Sequence, residues 1–447
     1  MLLNFDRIKS VNNNKVCLSE QSFKMFVQNA SGYFAALEDD ISKIKPSETI
    51  DVISALTTFR EYFENESAWE QLMLRTLDIL QKGIKRSMFD GIASFRGMTH
   101  IAYVIHDLAV STPKLNSFYK DINKILLDSI AEFLKASDKD DFYTKGNYEV
   151  IRGLSGPLSY LIYANGTTED TSEGNDNARM CDIIGQIVDV FIRRSKEFEV
   201  LGHRVPGWHY YVSAIVKSLN DYEAKNGVVN YGLSHGMAAP LVTLAMAHRN
   251  GIHKEGLAEA IDGLISEFMK SYYYVNDIVY WPGMITFEQY VGLEERHTIP
   301  KQMSWCYGSV GILRSLYIAG IMISNSEVEQ FALKEFVKIA EMNLSDYALV
   351  QMVVCHGFAG TAAILNAMHL DTGKVEFLQK TIEMIESCAI LNVEQFIEHE
   401  NKLAHMRNLP LRASLHNHLE GYCGVIQTIL SILKGVPDGN DRRLLIV

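Results

Sequence analysis

Apolar residues follow two rhythms along this 447-residue chain. One is one-sided. In EGLAEAIDGLISEFMKS, residues Leu257, Ile261, Leu264, Ile265 and Phe268 recur at the spacing of a single helix face, which predicts an amphipathic helix. The other rhythm is apolar almost all round, as in GPLSYLIYA, MAAPLVTLAMAH, GILRSLYIAGIMI and GTAAILNAMHL. A helix with no polar face has to be buried on every side. Each of these runs opens on a short glycine motif: RGLSG (Arg152–Gly156), HGMAA (His235–Ala239), YGSVG (Tyr307–Gly311) and HGFAG (His356–Gly360), with EGYCG (Glu420–Gly424) in the same frame and a weaker RGMTH starting at Arg96. Self-similarity at long period is the signature of a repeat architecture. The unit is a helix pair, one apolar helix behind the glycines and one amphipathic helix. Such pairs close into an all-α, double-layered α/α toroid or stack into an open α-solenoid. The first glycines stand at 97, 153, 236, 308, 357 and 421, an irregular spacing that favours the closed, decorated form over residues 1–447 as a single domain.

One gap has a different texture. FEVLGHRVPGWHYYVSAIV and NGVVNYG are rich in β-branched and aromatic residues, with turn signals at Pro206-Gly207 and Asn226-Gly227. Residues 195–233 are therefore expected to form an irregular or β-containing insertion. Val275–Tyr290 reads as a second such stretch, and the polar run Gly166–Asn177 as a loop. Among the insertion's aromatics Trp208 is a candidate anchor for a peptide or protein partner, although such residues also build small β cores.

Composition narrows the function classes. The net charge of −12 disfavours nonspecific nucleic-acid binding, which needs cationic surface. No long apolar run predicts a membrane span, and MLLNFDRIKSVNNNK has no signal-peptide pattern. These features point to the cytosol. The cysteines, at 17, 181, 306, 355, 388 and 423, form no C-x-x-C pair and no disulfide framework. They are expected as buried hydrophobes, metal ligands or nucleophiles.

The repeated frame singles out two of them. Equivalent positions of each repeat fall at the same end of a toroid. The residues before the first glycine are Arg96, Arg152, His235, Tyr307, His356 and Glu420, all polar where apolar helices begin. One step earlier stand Ser234, Cys306 and Cys355. Cys306, Cys355 and His356 thus form a candidate Cys₂His set, and three protein ligands with an open fourth position is the pattern of a catalytic zinc site. Packing is the competing reading for either cysteine. Cys17, Cys181, Cys388 and Cys423 read as packing residues. His235 shares the frame of His356 without the preceding cysteine, so it would face the same mouth as an unligated imidazole suited to acid–base work.

In combination, SHG followed by AAP, WCYG and CHG resemble motifs of the lanthionine synthetase C-like family, and in particular the stand-alone cyclases that complete lantibiotic peptides. VPGWH, NYGLSHG and YWPGMI also look familial, and the resemblance runs from about Gly91 onward. It implies an α/α toroid with one zinc per chain on Cys306, Cys355 and His356, with His235 and Tyr307 near the reaction centre. Two positions depart from the family pattern: Glu149 stands where relatives carry Asp, and Gln302 where an Arg is usual before the WCYG cysteine. The resemblance implies addition of peptide cysteine thiolates to dehydroalanine or dehydrobutyrine in a dehydrated precursor peptide. It implies as partners a lantibiotic dehydratase and an export transporter, which would bring a cytoplasmic protein to the inner membrane face. Competing expectations are zinc-dependent alkylation of another thiol, with a prenyl group or by glutathione, and a noncatalytic helical peptide-binding scaffold.

Overall fold

The structure, a computed structural model, describes residues 2–13, 16–137, 147–167, 174–211, 224–296, 302–406 and 415–447. It is mostly helical. Behind the glycine motifs run the helices Met98–Ser111, Ser155–Thr167, Ala238–Arg249, Ser309–Met322, Phe358–Thr372 and Tyr422–Lys434. Every residue from Ser309 to Gly320 is buried, as is every residue from Tyr422 to Leu433. Apolar sequence on all faces has produced helices covered on all faces. The helix Leu257–Ser271 buries Leu257, Ala260, Ile261, Leu264, Ile265 and Phe268, the face predicted from the sequence. Motif helices pack on the amphipathic helices that follow them: Met98–Ser111 on Asn116–Ser137, Ser155–Thr167 on Gly174–Arg194, Ala238–Arg249 on Leu257–Ser271, and Phe358–Thr372 on Val375–Ala389.

The chain divides into two compact units, one of residues 1–89, 340–441 and 447, the other of residues 90–339 and 442–446. In the second unit the motif helices from Met98–Ser111 to Ser309–Met322 pack side by side in sequence order. In the first unit Tyr422–Lys434 packs on Phe358–Thr372 and on Pro46–Thr58. The last of these is buried continuously from Glu48 to Leu56 and carries no glycine motif, so the repeat frame did not reveal it.

The motif turns are joined to one another through their backbones. In the second unit the Ser94 N–H donates to the Ile151 carbonyl (3.0 Å), Val150 to Ser234 (3.3 Å), and Leu233 and Ser234 both to Cys306 (3.0 and 3.3 Å). In the first unit the Cys355 N–H donates to Leu419 (2.8 Å). The second glycine of the motif permits this packing. A Cβ at Gly360 or Gly424 would overlap the carbonyl of Val354 or His418 in the turn that precedes its helix.

Short antiparallel hairpins fill the expected insertions. The strands are β1 (Phe198–Val200), β2 (His203–Val205), β3 (Val228–Asn230), β4 (Tyr273–Val275), β5 (Ile278–Tyr280) and β6 (Met284–Thr286). β1 pairs with β2, β4 with β5, and β3 with β6, so the two stretches read separately from the sequence share one ladder. Residues 212–223 of the first insertion lie outside the described residues. The stretch Gly166–Asn177, expected as a loop, is helical at both of its ends. One helix continues to Thr167 and the next begins at Gly174, while residues 168–173 lie outside the described residues.

Candidate functional site

Glu149 and His235 come together at the motif turns of the second unit. The Glu149 side chain is 7% exposed and accepts three backbone hydrogen bonds, from the N–H groups of Ile151 (3.1 Å), Arg152 (2.6 Å) and Gly153 (2.8 Å). It therefore binds its own turn and has little freedom. Its Oε2 also lies 2.7 Å from Nδ1 of His235, whose side chain is 50% exposed. A hydrogen bond to a charged group is worth about 1.5–3 kcal/mol, enough to favour the tautomer with the proton on Nδ1. Nε2 is then the nitrogen left for other partners. Burial works against the charged imidazole, but the hydrogen bond and charge of Glu149, with a contribution from Cys306, outweigh it and raise the His235 pKa. The imidazolium persists to higher pH than for a free histidine.

Tyr307 lies in the same unit. Its hydroxyl accepts from Asn230 Nδ2 (3.0 Å), while Asn230 Oδ1 accepts from the Gly232 N–H (3.0 Å). Burial raises the phenol pKa strongly; the Asn230 hydrogen bond opposes it, and the charges of Tyr210, Cys306 and Glu149 add to it, so Tyr307 stays protonated at neutral pH. Asn230 also donates to the Tyr210 hydroxyl (3.5 Å). Sequence reasoning passed over Asn230. Its one signal was its place in NYGLSHG, five residues before His235.

Cys306 is 5% exposed. Its sulfur is 3.6 Å from Ser304 Oγ, which donates to the Tyr307 carbonyl (2.7 Å) and accepts from Gln302 Nε2 (3.3 Å). Gln302 is thus linked to Cys306 through Ser304. Cys306 belongs to the second unit, and Cys355 and His356 to the first. Two sulfurs and an imidazole nitrogen suit zinc, and three ligands leave a fourth position.

Trp208 is a core residue of its region. It is 2% exposed and packs edge-on against Tyr148 (5.3 Å) and Phe191 (6.1 Å), with its carbonyl accepting from the Tyr148 hydroxyl (2.8 Å). Its indole offers no surface to a partner. It forms a small aromatic cluster with Tyr148 and with Phe191 of the helix Gly174–Arg194. Of the cysteines read as packing residues, Cys388 and Cys423 are buried, but Cys17 and Cys181 are exposed.

The profile of a family described as lanthionine synthetase C-like protein matches residues 54–442. A curated relative, the nisin biosynthesis protein NisC of Lactococcus lactis subsp. lactis, is 24% identical over 306 residues, 65% of this chain and 67% of that protein. A solved structure, nisin cyclase, is 19% identical and covers 92% of this chain and 95% of its own at a TM-score of 0.74. That likeness shows the fold, an all-α toroid of helix pairs with a few small strands. With a profile spanning most of its length, the chain belongs to the lanthionine synthetase C-like family.

Proposed function

We propose that this chain is a zinc-dependent lanthionine cyclase. It adds cysteine thiols of a dehydrated precursor peptide to dehydroalanine or dehydrobutyrine residues of the same peptide, giving lanthionine or methyllanthionine rings. Family membership supports the reaction class. The Glu149–His235 pair is the observation that carries the mechanism, since it supplies a proton source in the unit that also holds Cys306 and Tyr307.

Cys306, Cys355 and His356 are the residues that would hold zinc. When bound, zinc lowers the pKa of a thiol that joins it, from about 8.5 in the free side chain, and so favours the nucleophilic thiolate. The chain's own residues do the rest. As the sulfur bonds to the β-carbon, the alkene electron pair moves toward the α-carbon and its carbonyl. His235 delivers a proton to the α-carbon. The proton lost by the attacking thiol balances it, so the sum is a thiol plus an alkene giving a thioether. Glu149 holds Nδ1 and keeps His235 charged before the transfer. Tyr307, fixed by Asn230, is a neutral hydroxyl donor for the enolate oxygen. Gln302 positions Ser304 beside Cys306, a neutral substitute for the arginine usual there.

No helix among the described residues is long and apolar enough to cross a membrane. The reading therefore places the protein in the cytoplasm, with a dehydratase supplying its substrate and a transporter receiving its product. The experiment is incubation of purified protein with a dehydrated precursor peptide. Mass spectrometry after thiol alkylation should show loss of alkylatable cysteines at constant peptide mass. Unchanged cysteines, with the protein merely binding the peptide, would favour the scaffold reading. Alkylation by a prenyl donor or by glutathione in the same assay would favour the other thiol chemistry.

A further inference from the structure

The segment Arg442–Ile446 is placed where a surface extension would not be. Leu444, Leu445 and Ile446 are each at most 1% exposed, and Leu445 takes a left-handed backbone (φ 58°). Two buried side chains of the second unit grip its carbonyls. Trp305 Nε1 donates to Leu444 O (2.8 Å), and Arg314 Nε donates to Ile446 O (2.7 Å). The Arg443 guanidinium lies over the Phe95 ring (4.9 Å), and that ring packs on Trp305 (6.0 Å). Arg442 covers Tyr163 (4.5 Å). Trp305 is therefore held on two sides by this segment, directly at its N–H and through Phe95 at its ring.

Trp305 immediately precedes Cys306, and the turn around them is also tied locally and to the neighbouring motif turn. Ser304 Oγ closes on the Tyr307 carbonyl, while the Cys306 carbonyl accepts from Leu233 and Ser234. An indole carries a single N–H, and that of Trp305 is given to the Leu444 carbonyl. We propose that Arg442–Ile446 is a positioning element for Cys306, a strut that sets the sulfur's direction through Trp305. The proposal rests on the zinc reading above, in that the property it tunes is metal retention. It adds a role for a segment outside every glycine motif.

The test compares two tryptophans in the full-length protein. Trp305→Phe keeps an aromatic ring and removes the N–H that reaches Leu444. Trp69→Phe is the matched control, because Trp69 is also buried and its Nε1 donates to a carbonyl, that of Leu56 (2.9 Å), within the other unit. Chelator competition measures zinc affinity, and mass spectrometry measures the alkylation rate of Cys306 in metal-free protein. Groups that orient metal ligands typically change affinity by 10–100-fold, so Trp305→Phe should weaken zinc retention by about tenfold and speed Cys306 alkylation. Trp69→Phe should leave both near the parent values at a comparable loss of melting temperature. Equal effects from the two variants, or no change in Trp305→Phe, would overturn the strut. If Trp305→Phe does not fold, Arg443→Met, which removes the cover from Phe95, carries the same comparison. A parent protein that binds no zinc would refute the functional reading alone, and the alkylation rates would still decide whether the segment positions Cys306.

Discussion

The motif turns and the aromatic insertion are both conspicuous in the sequence, yet they differ in what the sequence reveals of them. At the turns, one frame recurs along the chain, and each copy has the same local duty. Its glycine lets a turn pack over the start of a helix, as at Gly360 and Gly424. A repeated backbone solution puts equivalent side chains in equivalent places, so position in the frame carried information about His235, whereas Glu149 stood out only through the family resemblance. In the insertion, Trp208, Tyr210 and the β-branched residues around them mark only that something apolar is buried. They say nothing about which side faces a partner, and Trp208 turned out to be enclosed by Tyr148 and Phe191. A repeated frame encodes geometry, whereas aromatic texture encodes burial.

Substitutions can break this contrast, and the largest effect is expected at a ligand. Cys306→Ala should abolish ring formation and lose zinc, with the helical circular dichroism retained, as read by elemental analysis beside the ring assay. Next is His235→Ala. It should keep about one zinc equivalent and lose ring formation by about 10²–10⁴-fold, the usual contribution of a general acid. Loss of zinc in that variant would make His235 a ligand rather than an acid.

Glu149→Gln should have a smaller effect with a distinct signature. The carboxylate raises the His235 pKa. An acid with a raised pKa stays protonated to higher pH, and activity falls as pH rises through that value. Removing the negative charge moves the pKa down, so the alkaline limb of the pH–rate profile should shift to lower pH. A profile that does not move would separate Glu149 from the proton donor and leave it as a turn-binding residue only. The smallest effect on chemistry belongs to Trp208→Ala. Emptying a buried tryptophan site costs about 3–5 kcal/mol of stability. Thermal melts should show that loss, while ring formation per folded molecule stays close to the parent. A specific fall in peptide affinity at unchanged stability would restore the contact role that its burial argues against.

Much of the fold could be read from the chain because its signals are local. The apolar run after Gly308 had to be covered on every side, and it is. The one-sided spacing from Leu257 to Phe268 matches the buried face of its helix. What stayed hidden depends on pairing between distant segments. The ladder of β3 with β6 joins residues more than fifty positions apart, and nothing in either strand names its partner. Pro46–Thr58 is as buried as the motif helices but lacks their glycines. At the site, the Cys and His candidates stood out by their frame. Asn230 and Ser304 did not, since an amide or hydroxyl that orients a neighbour has no spacing rule. The helix ends at Thr167 and Gly174 were lost inside a polar run, where composition alone reads as loop.

The central claim is that Cys306, Cys355 and His356 hold a zinc at which a peptide thiol is activated. X-ray absorption at the zinc edge tests it most directly, on the purified protein alone and then with a dehydrated peptide. The account predicts one zinc per chain with two sulfurs and one nitrogen from the protein, and a third sulfur when the peptide is added. Absence of zinc, or a closed shell of four protein ligands that peptide does not change, would contradict it.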